Sequence, residues 1–230
     1  MRLKKILAAG ILALSVGFGG TADASAIVDM QKNSSSDYDK ISQLVVWERQ
    51  SRVRHVYDEM ADCYFSDATV TTSWTAGSIA DFLNGGNRAE ASSDEIIIGR
   101  VSPPIVHQNK NRAYVELPTI TLHWIKVNGE EAVLTSYMRL IYRVEKRGGI
   151  WRISDLTSIN EDDTLEPAVA GTDLHLDAAE LKNFRHSYRF LAYVRTKAGG
   201  TVSNDLLGID RPADIEKIYR DAEAWIKAAR

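Results

Sequence analysis

Residues 113–159 read AYVELPTITLHWIKVNGEEAVLTSYMRLIYRVEKRGGIWRISDLTSI and decide the fold. Three long runs rich in β-branched and aromatic residues are separated by Asn128-Gly129 and by Gly148-Gly149. β-branched and aromatic residues favour strands, and Asn-Gly or Gly-Gly between two apolar-rich runs is a strong signal for a tight hairpin turn. The stretch therefore predicts an antiparallel meander.

Shorter patterns surround this meander. Pro103-Pro104 interrupts an apolar run and predicts an edge position, a bend or a bulge, because proline cannot donate to a strand ladder. Strands are predicted over residues 67–72, 96–101, 105–108, 113–127, 132–145 and 151–159. Helices are predicted from Ser36 or Asp37 to Tyr57 and over residues 58–64, 78–83, 178–197 and 213–228, with a loop over 84–94. Helices, then a meander, then helices indicate an α+β architecture.

The N-terminus has the pattern of an export signal. A positively charged start precedes an uncharged apolar run over residues 6–20, and two A-x-A patterns end at Ala24 and Ala26. The run is shorter than the roughly 20 residues that span a bilayer. We expect residues 1–26 to be a cleaved signal peptide, cut after Ala24 or Ala26, and the protein to be periplasmic or secreted with no membrane span. The polar residues 27–37 predict a flexible leader.

Composition excludes several functions. The chain carries 28 Lys and Arg against 31 Asp and Glu, a net charge of −3, with no basic cluster, so nucleic acid is not an expected partner. Cys63 is the single cysteine, which excludes an intramolecular disulfide. The five histidines have no metal-ligand spacing, and phosphate-binding and dinucleotide motifs are missing from the sequence. We expect no metal and no cofactor.

Several segments together carry a family resemblance. They are residues 57–70 (YDEMADCYFSDATV) with Ser73-Trp74 and Gly77, then 111–116 (NRAYVE), 135–140 (TSYMRL), 149–153 (GIWRI) and 206–212 (LLGIDRP). In order and spacing the chain resembles the SnoaL-like family of the nuclear-transport-factor-2-like (NTF2-like) superfamily. The resemblance implies a cone, in which a curved antiparallel sheet packs on N-terminal helices around one deep pocket. It implies one such domain over residues 38–160, with residues 161–230 as a C-terminal helical extension packed on it.

The resemblance also implies where catalysis would occur. Catalytic relatives place an aspartate late in the first helix near a histidine on the first long strand, and work without metal or cofactor. In this chain those positions fall on Val53 and on Gly99 or Arg100. The nearest acid on the helix, Glu48, lies about 140° around the helix from Val53. The family dyad is replaced, so whether the protein is an enzyme stays open.

The candidate pocket residues are polar or aromatic groups on the predicted elements. Arg139 either binds a carbonyl or carboxylate in the pocket or pairs with a neighbouring strand. Arg100 either replaces the histidine or is exposed, while Trp74 and Tyr137 either stack on a flat ligand or belong to the core. The full set is Glu48, Arg49, Val53, Tyr57, Trp74, Arg100, Tyr137 and Arg139.

Three functions follow from these residues. The first is a binding module for a small, largely apolar or polycyclic molecule. The second is a cofactor-independent lyase or isomerase, of the dehydratase or ketosteroid-isomerase type, with a rearranged acid/base set such as Glu48 with Tyr137 or Arg100. The third is a structural domain that forms a homodimer through its open sheet face. The sequence names no ligand.

Overall fold

The structure is a computed structural model that describes residues 25–90, of which 86–90 by backbone alone, and residues 96–229. Most of the predicted signal peptide, residues 1–24, lies outside the described residues. The helices are α1 (Ala26–Asn33), α2 (Asp37–Val53), α3 (Tyr57–Asp62), α4 (Ile79–Glu90), α5 (Ala178–Leu181), α6 (Arg189–Lys197) and α7 (Pro212–Lys227). The strands are β1 (Tyr64–Thr71), β2 (Ala76–Ser78), β3 (Ile96–Val101), β4 (Ile105–Asn109), β5 (Arg112–Val127), β6 (Glu130–Arg147) and β7 (Ile150–Pro167).

The predicted meander forms the centre of the sheet. The strand order is β2-β1-β7-β6-β5-β3, and β4 pairs with the first part of β5, so Pro103-Pro104 divides one sheet edge into β3 and β4. Asn128 and Gly129 both have positive φ, 51° and 91°, as a type I′ hairpin turn requires. The α+β fold is confirmed. One pair differs from the prediction: β1 runs parallel to β7, so the curved sheet is mixed.

The two sheet faces carry different helices. Side chains alternate along β5 and β6, and the face with Val115, Leu117, Leu140 and Tyr142, here called the inner face, packs against α1–α4 in one apolar cluster. Further along the same face, Val127 and Leu134 pack against α6 in a second cluster. The outer face carries α7, whose Trp225 and Ile226 carbonyls accept hydrogen bonds from Arg112 and Asn109. The extension thus covers both faces of one sheet.

The predicted flexible leader is a helix. In α1 the Ser25 hydroxyl caps the N-terminus by accepting from the Val28 N–H, and Ile27 is fully buried. The Gln31 side chain donates to the Trp151 carbonyl (2.7 Å) and accepts from its N–H (2.9 Å). The prediction was wrong because the buried residues Ile27 and Gln31, four apart on one helix face, dock on the core with Met30 packed beside them. Residues 27–37 are polar on average, so the two buried positions do not stand out in the composition.

Several boundaries also differ. The first long helix ends at Val53 instead of Tyr57, because His55 adopts a positive φ of 59°. Helix α4 continues to Glu90 where a loop was predicted, and β7 continues past Asn160 to Pro167 because β6 provides a pairing partner along its whole length. The predicted helix over 178–197 is split into α5, a short 3-10 turn and α6. No helix of the described residues is long and apolar enough to cross a membrane.

Candidate functional site

A belt of polar side chains crosses the inner face between the two apolar clusters. In register across the sheet, Thr121 of β5 pairs with Ser136 of β6, and Ser136 with Asp163 of β7. Thr119 and Asn160 occupy the next row. All five are buried. Because burying a polar group is costly unless it is hydrogen-bonded, this polar belt marks the part of the interior that apolar packing alone does not explain.

Next to the belt, helix α2 holds a buried carboxylate, Glu48, which is 0 % exposed. One oxygen accepts from the Tyr64 hydroxyl (2.9 Å) and Arg52 Nε (3.1 Å), and the other from Arg52 Nη2 (2.7 Å) and the Tyr142 hydroxyl (2.7 Å). Burial, and then the Glu48 charge, raise the pKa of both tyrosines well above the usual value. With four donors on two oxygens, Glu48 has no capacity left as a general base.

Arg49, the next residue of α2, points into the polar belt and is 4 % exposed. Its Nε donates to the Thr119 hydroxyl (3.4 Å) and its Nη2 to the Thr121 hydroxyl (2.5 Å). Burial, followed by the nearby positive charge of Arg52, lowers the pKa of Arg49 to about 10. The guanidinium remains charged near neutral pH and offers more donors than these two hydroxyls use.

The two positions of the family dyad meet in space without carrying the dyad. A Cβ atom added to Gly99 would lie 2.8 Å from Cγ1 of Val53, so α2 and β3 approach too closely here for a larger side chain at residue 99. Arg100 is exposed on the outer face, and its guanidinium donates to the Gly99 carbonyl. Val53 and Gly99 therefore form a helix–strand contact in place of an acid/base pair, and the ionisable group beside it is Arg49, whose Nη2 would lie 3.6 Å from the same added Cβ.

The other candidate residues lie away from the belt. Tyr57 is half-buried at the start of α3, 3.4 Å from the ring of His55, and Trp74 is 42 % exposed and stacks on Phe82. Burial raises the pKa of the Cys63 thiol, which makes that cysteine a poor nucleophile.

Tyr137 and Arg139 point to the outer face. Arg139 donates to Tyr219 of α7 (2.9 Å) and pairs with Glu161, so of its two predicted roles the structure shows the ion pair. No role was predicted for Thr119, Thr121 or Ser136; the available signal was the two hydroxyl residues Thr119 and Thr121, two apart in an apolar strand.

A cleft of about 800 Å³ opens between the β5–β6 hairpin and α6. Its floor is the inner face of the hairpin, where His123 pairs with Leu134. The next pair along the same face is Thr121 and Ser136, so the polar belt that holds Arg49 begins one row beyond the lining of the cleft. The lining side chains are Ile96, His123, Trp124, Ile125, Lys126, Val127, Asn128, Glu131, Ala132, Leu134, Leu191, Val194, Arg195, Lys197 and Ala198.

This arrangement suits binding more than catalysis. The cleft has aliphatic walls and a few polar groups, as small-molecule sites do. Within the described ranges, no group of three or more His, Cys, Asp or Glu residues is placed to hold a metal ion.

Comparison with known proteins identifies the fold. No protein-family model and no curated protein matches the sequence. A hexachlorocyclohexane dehydrochlorinase (LinA) Type2 structure is 14% identical and has a TM-score of 0.50, covering 61% of this chain and 100% of that chain. A putative scytalone dehydratase from Novosphingobium aromaticivorans is 13% identical (TM-score 0.46; 64% and 99% covered). An NTF2-like protein of unknown function from Pseudomonas putida is 12% identical (TM-score 0.43; 52% and 82% covered). At such identities the similarity shows the fold alone.

Proposed function

We propose that this chain, which has the NTF2-like fold, binds a small, largely apolar molecule in the cleft between the β5–β6 hairpin and α6. The observation that carries the proposal is the cleft itself, about 800 Å³ with mostly apolar walls. Ligand sites of this kind typically measure 300–1,000 Å³ and combine apolar walls with a few polar groups. The SnoaL-like branch stays a prediction.

The same geometry disfavours the predicted lyase or isomerase. A general acid and base must reach a common substrate position. Glu48 is saturated by Arg52, Tyr64 and Tyr142, and its proposed partners, Tyr137 and Arg100, lie on the opposite face of the sheet. Binding is therefore the function that the site supports best.

Filling the cleft tests this proposal. We expect an apolar ligand at a hundred times its Kd to raise the melting temperature by about 5 °C or more, and Val194→Trp, which places an indole in the cleft wall, to abolish that rise. The measurement is differential scanning fluorimetry with a library of apolar compounds. Val169→Trp, at a 62 % exposed position, is the matched control and should respond like the wild type. A library without effect on the wild type, or a full response in Val194→Trp, contradicts the proposal.

We also propose that the protein is exported, with cleavage after Ala24. The Ser25 cap and the buried Ile27 support this position, since cleavage after Ala26 would remove the cap of α1. N-terminal sequencing of protein recovered from the periplasm or the medium should begin at Ser25. A protein that begins at Ile27, or that keeps its first 24 residues, would count against it.

The proposed homodimer has a candidate surface. The outer face leaves exposed the cross-strand pairs Ile96–Trp124 and Ile120–Tyr137, which α7 does not cover. Exposed contiguous apolar residues support an assembly role. Ile96 and Trp124 also line the cleft, so a dimer formed through this surface would border the ligand site.

A further inference from the structure

The buried charges around α2 do not balance. Glu48 and Arg49 are buried and the Arg52 side chain is 16 % exposed, which places two guanidinium groups beside one carboxylate. Arg52 occupies Glu48 with two hydrogen bonds, while the hydrogen bonds of Arg49 go to the neutral hydroxyls of Thr119 and Thr121. No carboxylate of the described residues forms an ion pair with Arg49. A buried charge without a counter-charge is costly, so this position favours an anion.

A second polar group in the same row of the sheet is the Ser136 hydroxyl. The Ser136 side chain is 4 % exposed, and its hydroxyl makes no hydrogen bond within the part of the chain that the structure describes. Ser136 is the cross-strand partner of Thr121, which accepts from Arg49. Facing residues on neighbouring strands have Cβ atoms about 5 Å apart. A guanidinium and a hydroxyl are therefore available together, and a carboxylate accepts readily from both.

The cleft ends one row of the sheet away from these donors: its lining includes His123 and Leu134, and the next pair along the inner face is Thr121 with Ser136. From Thr121 the inner face continues through His123 and Ile125 to Val127, a path of about 20 Å along the strand. Its apolar walls come from Leu134, Leu191 and Val194. Of the cations in its lining, Lys197 pairs with Glu180 (2.5 Å) and Arg195 donates to the Ser73 carbonyl (3.0 Å), so the preference for an anion rests on Arg49.

We propose that the ligand is an amphipathic monocarboxylate, whose carboxylate binds Arg49 and Ser136 while its apolar body lies along the cleft. The inference rests on the proposed function and narrows its ligand to one chemical class. Arg49 binds the head group by paired hydrogen bonds and charge. The apolar walls accept straight-chain or aromatic bodies, and the Arg49 guanidinium favours the acid over its neutral analogue.

Matched acids and amides test this inference. Decanoate with decanamide, and 1-naphthoate with 1-naphthamide, differ within each pair only in the charge of the head group. Isothermal titration calorimetry on the exported protein at pH 7.5 and low salt should show each acid binding at least about tenfold more tightly than its amide. Equal affinities would overturn the carboxylate inference and leave the proposed apolar binding intact. Binding of neither series, together with an unresponsive apolar library, would overturn both.

Variants locate the charge preference. Arg49→Met should remove the tenfold preference while keeping the affinity for the amide, and Arg100→Met, which removes an exposed arginine on the outer face, should leave the preference unchanged. Methionine is a hydrophobic replacement for a buried charge, so we expect this variant to fold. If it does not, Ser136→Ala provides the second reading, with a several-fold loss for the acid and none for the amide. A preference that stays near tenfold in Arg49→Met, or that is undiminished in Ser136→Ala where that is the variant measured, contradicts the assignment.

Discussion

Replacing Glu48 with glutamine is expected to lower the free energy of unfolding by about 3–5 kcal/mol, the typical cost of breaking a buried ion pair from one side. The variant leaves the Arg52 guanidinium buried without its counter-charge, and turns an amide NH₂ toward groups that donate: Arg52, Tyr64 and Tyr142. Urea denaturation followed by tryptophan fluorescence measures the loss.

Two controls separate the buried pair from a general charge effect. Glu216→Gln removes a carboxylate from an exposed pair with Arg220, four residues away on α7, and should leave the unfolding curve unchanged. Combining Glu48→Met with Arg52→Met should recover much of the loss, because no uncompensated charge of the pair remains. A Glu48→Gln variant as stable as the wild type would mean that the network does not hold the interior together.

The second large effect is a dependence of stability on pH through Asp163. This side chain, 4 % exposed, accepts from the backbone N–H groups of Phe190 (3.1 Å) and Leu191 (2.7 Å) at the start of α6. Burial nevertheless raises the pKa of the carboxyl from 3.8 to about 6, with Asp162 adding to the rise. The folded state therefore holds this proton more tightly than the unfolded state does.

The sign of the effect follows from that difference. The contribution of Asp163 is fully present below pH 3.8 and is lost as the pH rises through about 6. A shift of about two pK units corresponds to about 3 kcal/mol. Asp163→Asn does not titrate, and its NH₂ group faces one of the two backbone N–H donors, which gives a cost independent of pH. Relative to the wild type, the stability of this variant should therefore rise by up to about 3 kcal/mol between pH 4 and pH 7.

The comparison of variant with wild type isolates this residue. Asp37 and Asp210 have lowered pKa values, which give a dependence of the opposite sign and leave the total pH profile ambiguous. Equilibrium denaturation at pH 4, 5, 6 and 7 measures the difference between the two proteins. Asp205→Asn, at an exposed site, is the control. A constant difference between Asp163→Asn and the wild type across this range would contradict the prediction.

Local chemistry made the sheet predictable from the sequence. Asn128-Gly129 adopts the two positive φ values of a type I′ turn because asparagine and glycine tolerate them. The side-chain period of two residues along β5 and β6 was equally readable. Local sequence signals do not show how far a neighbouring strand continues to pair, so the extension of β7 beyond Asn160 was not predicted.

The candidate site was predicted only in part, as Arg49 and Arg139 illustrate. Alternation shows that Tyr137 and Arg139 share a face, but it does not show which face meets α2 and which meets α7. Because α7 packs on the face that carries Arg139, this arginine meets Tyr219 and Glu161. Because α2 packs on the other face, Arg49 is the buried arginine of the polar belt. Thr121 and Ser136 became neighbours through strand register, which local sequence patterns do not give.

The sequence by itself thus determined the meander with its turns and the approximate positions of the long helices α2 and α7, since each depends on residues near one another in the chain. Tertiary structure alone decided that α1 docks through Gln31 onto Trp151, that β1 runs parallel to β7, and that a cleft opens next to the polar belt that holds Arg49. These features join segments tens of residues apart. They arise from packing and hydrogen bonding between surfaces, and such pairings leave little trace in local periodicity.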